Sequence, residues 1–479
     1  AKHTIIYSIG NLSAKLVGFI LLPLYTEYLT TGEYGIFALL EITGTIIVAV
    51  FSFKLSTGMM RWCSGKKSNE FIKSIFFTTY ISALFIIVFL NLTLQLFTED
   101  FSILFFGHTN YSDYFIILLI SVSFEILNLF PFDLIRLKEK PALFVTLSLI
   151  RIITILSFNI YFIKYLQMGV KGIILSQLIG NLLVHLFSLP IIIKNMIFSF
   201  YWGELMKIFK YSIPLVFSTI SMMVLTMGDR YLIKYYLNFS EVGIYSLGFK
   251  IASVINLLIV QSFQTGFLPV AYKNYNKPDY NRFFSKTLTY YAFILVFCSL
   301  GLSIFSKEII DFFSKNKEYI NAYKIVPYIA MAFIFKGIQY IYSLGLHFVK
   351  KTYYNATIIF IMALLNLLLN ILFIPWFGIK GAAISTIISW IIMSFLFYKY
   401  STKFYKVNYE LRKIYLLVIM ASLLYVLSQV TTIENTIFYL GLKMLILVSF
   451  PFLLYLFNFY EKVEIQYIKT FLFKVSGRK

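Results

Sequence analysis

The chain has 479 residues, of which 59% are hydrophobic and only 13% charged, with a mean hydropathy of +0.81 and a net charge of +21. About a quarter of the residues in a water-soluble globule are charged, so this composition excludes one and calls for a lipid environment. The basic excess would suggest nucleic acid in a soluble protein, but here the placement of the charges matters more than their sum.

Apolar stretches of about 20 residues, the length that crosses a bilayer as a helix, can be placed at 4–26, 33–57, 74–97, 114–135, 143–165, 171–193, 211–236, 241–268, 285–306, 324–347, 354–375, 380–400, 412–430 and 436–458. They lack the apolar/polar alternation of lipid-facing barrel strands, and helices satisfy their own backbone inside lipid. The expected fold is an all-α integral membrane protein of about fourteen transmembrane helices. The first stretch contains Lys15 and runs into Pro23 without a small-residue cleavage site, so it is expected to remain as helix 1. Cys63 and Cys298 fall in different environments and suggest neither a disulfide nor a metal framework.

Most of the 42 lysines and arginines lie on alternate connections, such as Arg61 to Lys73, Arg136 to Lys140, Lys194 to Lys210, Lys273 to Lys286 and Lys399 to Lys413. The opposite connections carry only Lys164, Lys171, Lys234, Lys307, Lys315, Lys317, Lys324 and Lys380. The positive-inside rule then expects an even helix count with both termini cytoplasmic.

A twelve-residue block starting at Tyr28, with Gly32-Glu33-Tyr34-Gly35, returns 208 residues later, starting at Tyr236, with Ser240-Glu241-Val242-Gly243. Gly169-Val-Lys-Gly172 with Ser176 returns 209 residues later as Gly378-Ile-Lys-Gly381 with Ser385. Similar spacing at both ends points to one long duplication. Helices 1 to 6 form one copy and helices 7 to 12 the other, leaving helices 13 and 14 outside. The expected domains are 1–200, 201–406 and 407–479, the last ending in a basic cytoplasmic tail. Six helices per copy make the repeats parallel, which favours a cavity at their interface. Gly35 and Gly243 read as turn or close-packing positions.

Ionisable groups inside the bilayer are costly and usually face a bundle interior or a wet cavity. Helix 1 places Ser8, Asn11, Lys15 and Gly18 on one face. Helix 2 carries Glu41 and Thr45, and helix 8 answers with Lys250, Ser253, Gln261 and Gln264. Helix 7 supplies Asp229 and Arg230, which point about 100° apart and need not pair. Helix 4 adds Glu125, helix 5 Arg151 and helix 10 Lys336. Lys15, Glu41, Arg151, Lys250 and Lys336 read as interior polar groups; Asp229 and Arg230 lie near enough to a helix end to snorkel, as does Lys443. His185 and His347 lack partners at metal-ligand spacing and read as packed or cavity-lining side chains rather than ligands. No phosphate-binding glycine loop, His-Glu-x-x-His or nucleophile beside a carboxylate pair is present. The chain therefore reads as a carrier rather than an enzyme. Deep cations with few acids suggest an anionic passenger, held by charge-assisted hydrogen bonds from Lys15, Arg151, Arg230, Lys250 and Lys336.

Leu22-Pro23-Leu24-Tyr25, the Leu29 to Gly35 block, Asp229-Arg230-Tyr231 and Glu241-Val-Gly-Ile-Tyr245 resemble the polysaccharide-flippase family of O-antigen and capsule repeat units. That family shares a superfamily with multidrug and toxin extruders and the lipid II flippase. The resemblance implies a MATE-like, V-shaped pair of six-helix bundles in the bacterial cytoplasmic membrane, moving undecaprenyl-diphosphate-linked oligosaccharide to the outer leaflet. It implies basic cavity residues for the diphosphate, for which Lys15, Arg230 and Lys250 occupy suitable helices; with the intramembrane polar groups above, the expected substrate site is Lys15, Glu41, Arg151, Asp229, Arg230, Lys250, Gln261, Gln264 and Lys336. The expected partners are that glycan, the bilayer and assembly proteins such as a polymerase, with no nucleic acid. No cofactor is expected beyond a coupled proton or sodium ion. Two alternatives stand beside this one: a multidrug extruder, which would favour acids over these basic groups, and a membrane-embedded glycosyltransferase or polymerase, which would need a larger outside loop than 306–323.

Overall fold

A computed structural model describes residues 18–65, 67–430 and 436–466. Nineteen α-helices are present among them: α1 Leu22–Tyr28, α2 Thr31–Phe51, α3 Leu55–Cys63, α4 Asn69–Leu94, α5 Thr98–Phe106, α6 Ser112–Leu137, α7 Pro141–Ile160, α8 Gly169–Lys194, α9 Trp202–Met227, α10 Asp229–Tyr236, α11 Phe239–Ile255, α12 Gln261–Asn274, α13 Tyr280–Ile304, α14 Ser306–Phe313, α15 Val326–Phe348, α16 Tyr353–Phe377, α17 Ile379–Phe404, α18 Leu411–Val430 and α19 Thr436–Leu456. Thirteen helical stretches are long and apolar enough to cross a membrane. They correspond to predicted helices 2 to 14. Predicted helix 1, with Lys15, lies mostly outside the described residues.

The chain forms two compact units. Unit 1 holds the residues up to Lys250 with Ile310–Ala322 and Ile359–Ser385; unit 2 holds Ile251–Ile309, Tyr323–Ile358 and the residues from Thr386 on. In unit 1, α8 packs along α6 and α7, and α2 lies against α6. In unit 2, α13 packs along α15 and α18, and α18 along α19. Large apolar side chains such as Phe85, Phe89 and Leu92 on α4 stay exposed, as suits a surface whose solvent is hydrocarbon.

The repeated residues have matching structural roles in the two copies. In the first block Thr30 caps α2: the Glu33 N–H donates to Thr30 Oγ1 at 3.2 Å, and the Glu33 carboxylate accepts from the Thr30 N–H at 2.9 Å. This is a capping box. At the same place in the second copy, the Glu241 N–H donates to Asn238 Oδ1 at 2.9 Å. One turn further on, Gly35 and Gly243 let α2 and α11 cross at backbone contact. A Cβ on Gly35 would lie 1.9 Å from the Phe239 carbonyl oxygen, and a Cβ on Gly243 would lie 1.9 Å from that of Thr31. These are close-packing glycines inside helices rather than turn residues. Gly169 and Gly378 have φ of +54° and +58°, a region that disfavours side chains with a Cβ, and each precedes or opens the helix carrying the second repeated motif. Ser176 and Ser385 then donate back to the carbonyls of Gly172 and Gly381.

Predicted helices 2 and 8 are not continuous. The first breaks between α2 and α3, where Phe53 and Lys54 have φ of 44° and 53°. The second passes through a π turn, Asn256–Val260, before α12 starts at Gln261. Gln261 is the repeat column of Phe53, so the π turn of the second copy ends just before the column at which the first copy breaks. Such interruptions inside a membrane are tolerated where the backbone is covered by protein or lines a cavity.

Unit 2 also corrects one expectation. Lys443 does not snorkel: its side chain is 3% exposed, with Nζ 2.6 Å from Glu308 and 4.4 Å from the Tyr439 ring centroid. The short helix α14 supplies a carboxylate within reach, so the ammonium stays inside the protein. His185, in unit 1, is packed as expected, meeting Asn128 at 3.1 Å and Tyr80 at 3.3 Å.

A second ion network in unit 2 ties the start of α13 to chain outside the spans. Lys286 bonds Glu410 at 2.7 Å and also pairs with Glu461. Burial raises the Glu410 pKa, but bonds from Lys286, Thr289 and Lys413 outweigh it and hold the group below its ordinary value. Glu461 is lowered chiefly by its bond from Lys286. A carboxylate depressed in the folded state adds stability above its unfolded pKa of about 4.3 and loses it as pH falls through the folded value. Acid titration of the purified protein should therefore leave its melting temperature unaffected by these groups from neutral pH down to about 5 and lower it below about 4.3. Glu410→Gln should remove much of that acid-dependent step.

Candidate functional site

In unit 1, the α2–α11 crossing sets the register of two polar surfaces. Glu41 lies six residues beyond Gly35, and Lys250 seven beyond Gly243, about 9 and 10 Å along their axes at 1.5 Å per residue. Glu41 and Thr45 are exposed on a helix that is otherwise largely buried. A carboxylate there calls for water rather than hydrocarbon. Lys250 is partly exposed, and its Nζ lies 2.9 Å from where a Cβ on Gly18 would sit. Lys250 thus lies against Gly18, a residue that the sequence reading puts on the same face as Ser8, Asn11 and Lys15. Lys15, on that same face, lies outside the described residues.

Asp229 and Arg230 are 2% and 5% exposed. They are buried rather than snorkelling, and they pair, with Nη1 2.6 Å from Asp229 Oδ1, although their side chains start about 100° apart. The reason is reach: the arginine leans back over the preceding turn, where Nη1 also donates to the Thr226 carbonyl at 2.7 Å. Two rings of α11 cover the guanidinium, Phe249 at 3.9 Å and Tyr245 at 5.1 Å to their centroids. The Tyr245 hydroxyl donates to the second Asp229 oxygen at 2.5 Å. In the first copy the same columns are Leu21, Leu22 and Phe37, all buried. The second copy has a charged, hydrogen-bonded trio where the first has an apolar one.

Arg151 on α7 lies 3.6 Å from Glu125 on α6, each side chain more than a third exposed. In this structure Arg151 and Arg230 are therefore each balanced by a carboxylate.

In unit 2, Gln261 and Gln264 follow the π turn, both partly exposed. The Tyr340 hydroxyl donates to the Gln264 carbonyl at 3.1 Å. Lys336, one turn before Tyr340 on α15, is partly exposed, with Nζ 5.4 Å from the Trp390 ring centroid and 5.5 Å from that of Phe333. A ring face attracts an ammonium placed over it. Unit 2 thus gathers Gln264, Tyr340 and Lys336.

The sequence reading missed the aromatic partners. Tyr245 could have been found, because its hydroxyl is the change from Phe37 within the repeated block. Phe249 and Trp390 carry no such signal.

The family described as "Polysaccharide biosynthesis protein" matches residues 1–274, more than half of the chain, and MatE matches residues 214–372. The chain is 23% identical over 282 residues to "Lsg locus putative protein 1" of Haemophilus influenzae, covering 57% of this chain and 66% of that protein. It is 24% identical over 211 residues to "Probable low-salt glycan biosynthesis flippase Agl15" of Haloferax volcanii, covering 43% and 44%. Either match spans less than two thirds of the relative's length. Among solved structures, the "Lipid II flippase MurJ, inward closed conformation" superposes with a TM-score of 0.75 at 19% identity, over 95% of this chain and 100% of that one. An inward-facing multidrug resistance MATE family transporter of the MOP superfamily gives 0.66 at 13% identity, over 86% and 95%. The helical architecture is the one these transporters share.

Proposed function

The chain belongs to the polysaccharide biosynthesis protein family, and from that premise we propose that it is a flippase for undecaprenyl-diphosphate-linked oligosaccharide. The passenger is an O-antigen, capsule or exopolysaccharide repeat unit, carried from the cytoplasmic to the outer leaflet by alternating access. The observation that carries this reading is the partly exposed Lys250, its ammonium against Gly18, within the candidate membrane span Phe239–Asn274. Relatives named for glycan biosynthesis and lipid II flipping support it.

Each group then has a task. Lys250 of unit 1, with Lys15, offsets the desolvation of a diphosphate. Lys336, Gln261, Gln264 and Tyr340 are the polar groups that unit 2 offers to a glycan. The charges of Arg151 and Arg230 are balanced by Glu125 and Asp229, and Arg230 can engage the anion once its bond to Asp229 opens, the carboxylate keeping its bond from Tyr245. Outward movement of an anion across an inside-negative membrane is downhill by about 2.3 kcal/mol per charge per 100 mV, roughly 4 to 5 for two phosphate charges. The site needs to shelter the headgroup without trapping it. Glu41, exposed and in no ion pair among the described residues, is the carboxylate we assign to a proton or sodium ion that resets the empty carrier.

Cells lacking this protein should accumulate lipid-linked oligosaccharide that periplasmic or external glycosidases cannot reach. Full accessibility in those cells would contradict the reading. Unchanged glycan display together with increased sensitivity to organic cations would favour a multidrug extruder.

A further inference from the structure

Unit 1 holds a second basic cluster at the end that the charge bias assigns to the cytoplasm. The turn from α6 to α7 faces the last turn of α8, and together they enclose a cavity of about 270 Å³. Its floor is apolar, formed by the buried Leu134 and Ile135, and its side wall includes Leu143 and Pro190, both exposed. Its rim is Lys138, Lys140 and Lys194, and none of the lining residues is acidic. The Lys138 ammonium donates to Asn195 Oδ1. That amide donates in turn to the Ile191 carbonyl at 2.7 Å, so one cation is fixed at the mouth.

Lys73 on α4 adds to the field. Burial, with the charges of Lys73, Lys140 and Lys194, pushes Lys138 below the ordinary lysine pKa. Arg136, two residues before Lys138, is paired with Asp133 at 3.2 Å. Cations brought together without a carboxylate in the lining repel one another, and an anion at the centre reverses that term. A soluble anion would leave the apolar floor and wall in contact with water. An amphiphile covers both.

We propose that this cavity seats the phosphate headgroup of an anionic phospholipid of the cytoplasmic leaflet. Lys138, Lys140 and Lys194 hold the phosphate, and Leu134, Ile135 and Leu143 contact the glycerol and first methylenes. The site is separate from the intramembrane groups assigned to the glycan. Basic pockets between membrane helices on the cytoplasmic side are suited to such lipids.

The test uses full-length protein, purified and delipidated in detergent, titrated with phosphatidylglycerol, phosphatidylcholine or inorganic phosphate and read by native mass spectrometry. Phosphatidylglycerol should bind in preference to phosphatidylcholine. K140Q/K194Q, at exposed positions, should weaken that binding by about tenfold or more. Leu143→Trp, which fills the mouth without changing charge, should weaken it too. K399Q/K403Q, which removes two exposed lysines from α17, should leave it unchanged. Equal phosphatidylglycerol retention by K140Q/K194Q would overturn the proposal. So would an equal loss in K399Q/K403Q, which would make the attraction diffuse. Displacement of the lipid by free phosphate at matching concentration would overturn the lipid assignment and leave a small-anion site.

Discussion

Gly35→Val is expected to cost about 3 kcal/mol of stability or more, a large fraction of the roughly 5–15 kcal/mol by which a folded protein exceeds its unfolded chain. The added Cβ would stand 1.9 Å from the Phe239 carbonyl oxygen, and that oxygen belongs to the backbone of α11 and cannot rotate away. The helices would have to separate, and with them the surfaces bearing Glu41 and Lys250. Gly243→Val should do the same through the Thr31 carbonyl. Because both substitutions open one crossing, the double variant should cost clearly less than the sum of the two. Fluorescence-detected size exclusion after a heat ramp measures this. Strict additivity would show that the two glycines do not share a contact.

The second large effect is expected at the Asp229–Arg230 pair. Arg230→Leu leaves a buried carboxylate with only the Tyr245 hydroxyl, and breaking such a pair costs about 3–5 kcal/mol. Asp229→Leu leaves the guanidinium between two rings and should cost a similar amount. The double variant D229L/R230L should recover most of the stability, because buried ion pairs are often replaced by apolar residues without loss. The chain supplies its own precedent in Leu21 and Leu22, buried in the equivalent columns of the first copy. If the pair serves transport, the recovered double variant should still fail to export glycan. Thermal melts and glycan display, measured on the same three variants, separate the two roles. A double variant that is both stable and active would reduce the pair to a structural strut.

Much of the architecture is legible in the sequence because the membrane simplifies the problem. Each apolar run of the right length must be a helix, and thirteen of the predicted fourteen have counterparts among the described residues. The duplicated columns are legible for a similar reason. Thr30 with Glu33 and Asn238 with Glu241 cap helices, Gly35 and Gly243 cross, and Gly169 and Gly378 turn with positive φ. These are backbone requirements that only certain residues meet, so they persist as matched letters.

What the sequence did not show depends on side chains that meet from distant positions. The break at Phe53 and Lys54 and the π turn before Gln261 lie inside uninterrupted apolar runs, so hydropathy passes over them. Asp229 and Arg230 pair because a long side chain folds back, which helical wheel geometry ignores. Lys443 stays inside because Glu308, on a short helix far earlier in the chain, comes within 2.6 Å. The basic rim of Lys138, Lys140 and Lys194 was visible only as part of a cytoplasmic charge count. Its shape as a cavity required the fold.

The most direct test of the central claim is a flipping assay with Lys250→Ala. Purified protein is reconstituted in vesicles carrying a fluorescent lipid-linked oligosaccharide, and the fraction reaching the opposite leaflet is read by an impermeant glycosidase. Wild-type protein should expose the glycan over time, and the Lys250→Ala protein, inserted in equal amount and melting at the same temperature, should do so at least about tenfold more slowly, as expected for loss of one charge-assisted contact of about 1.5–3 kcal/mol. Translocation by Lys250→Ala at the wild-type rate would contradict the account.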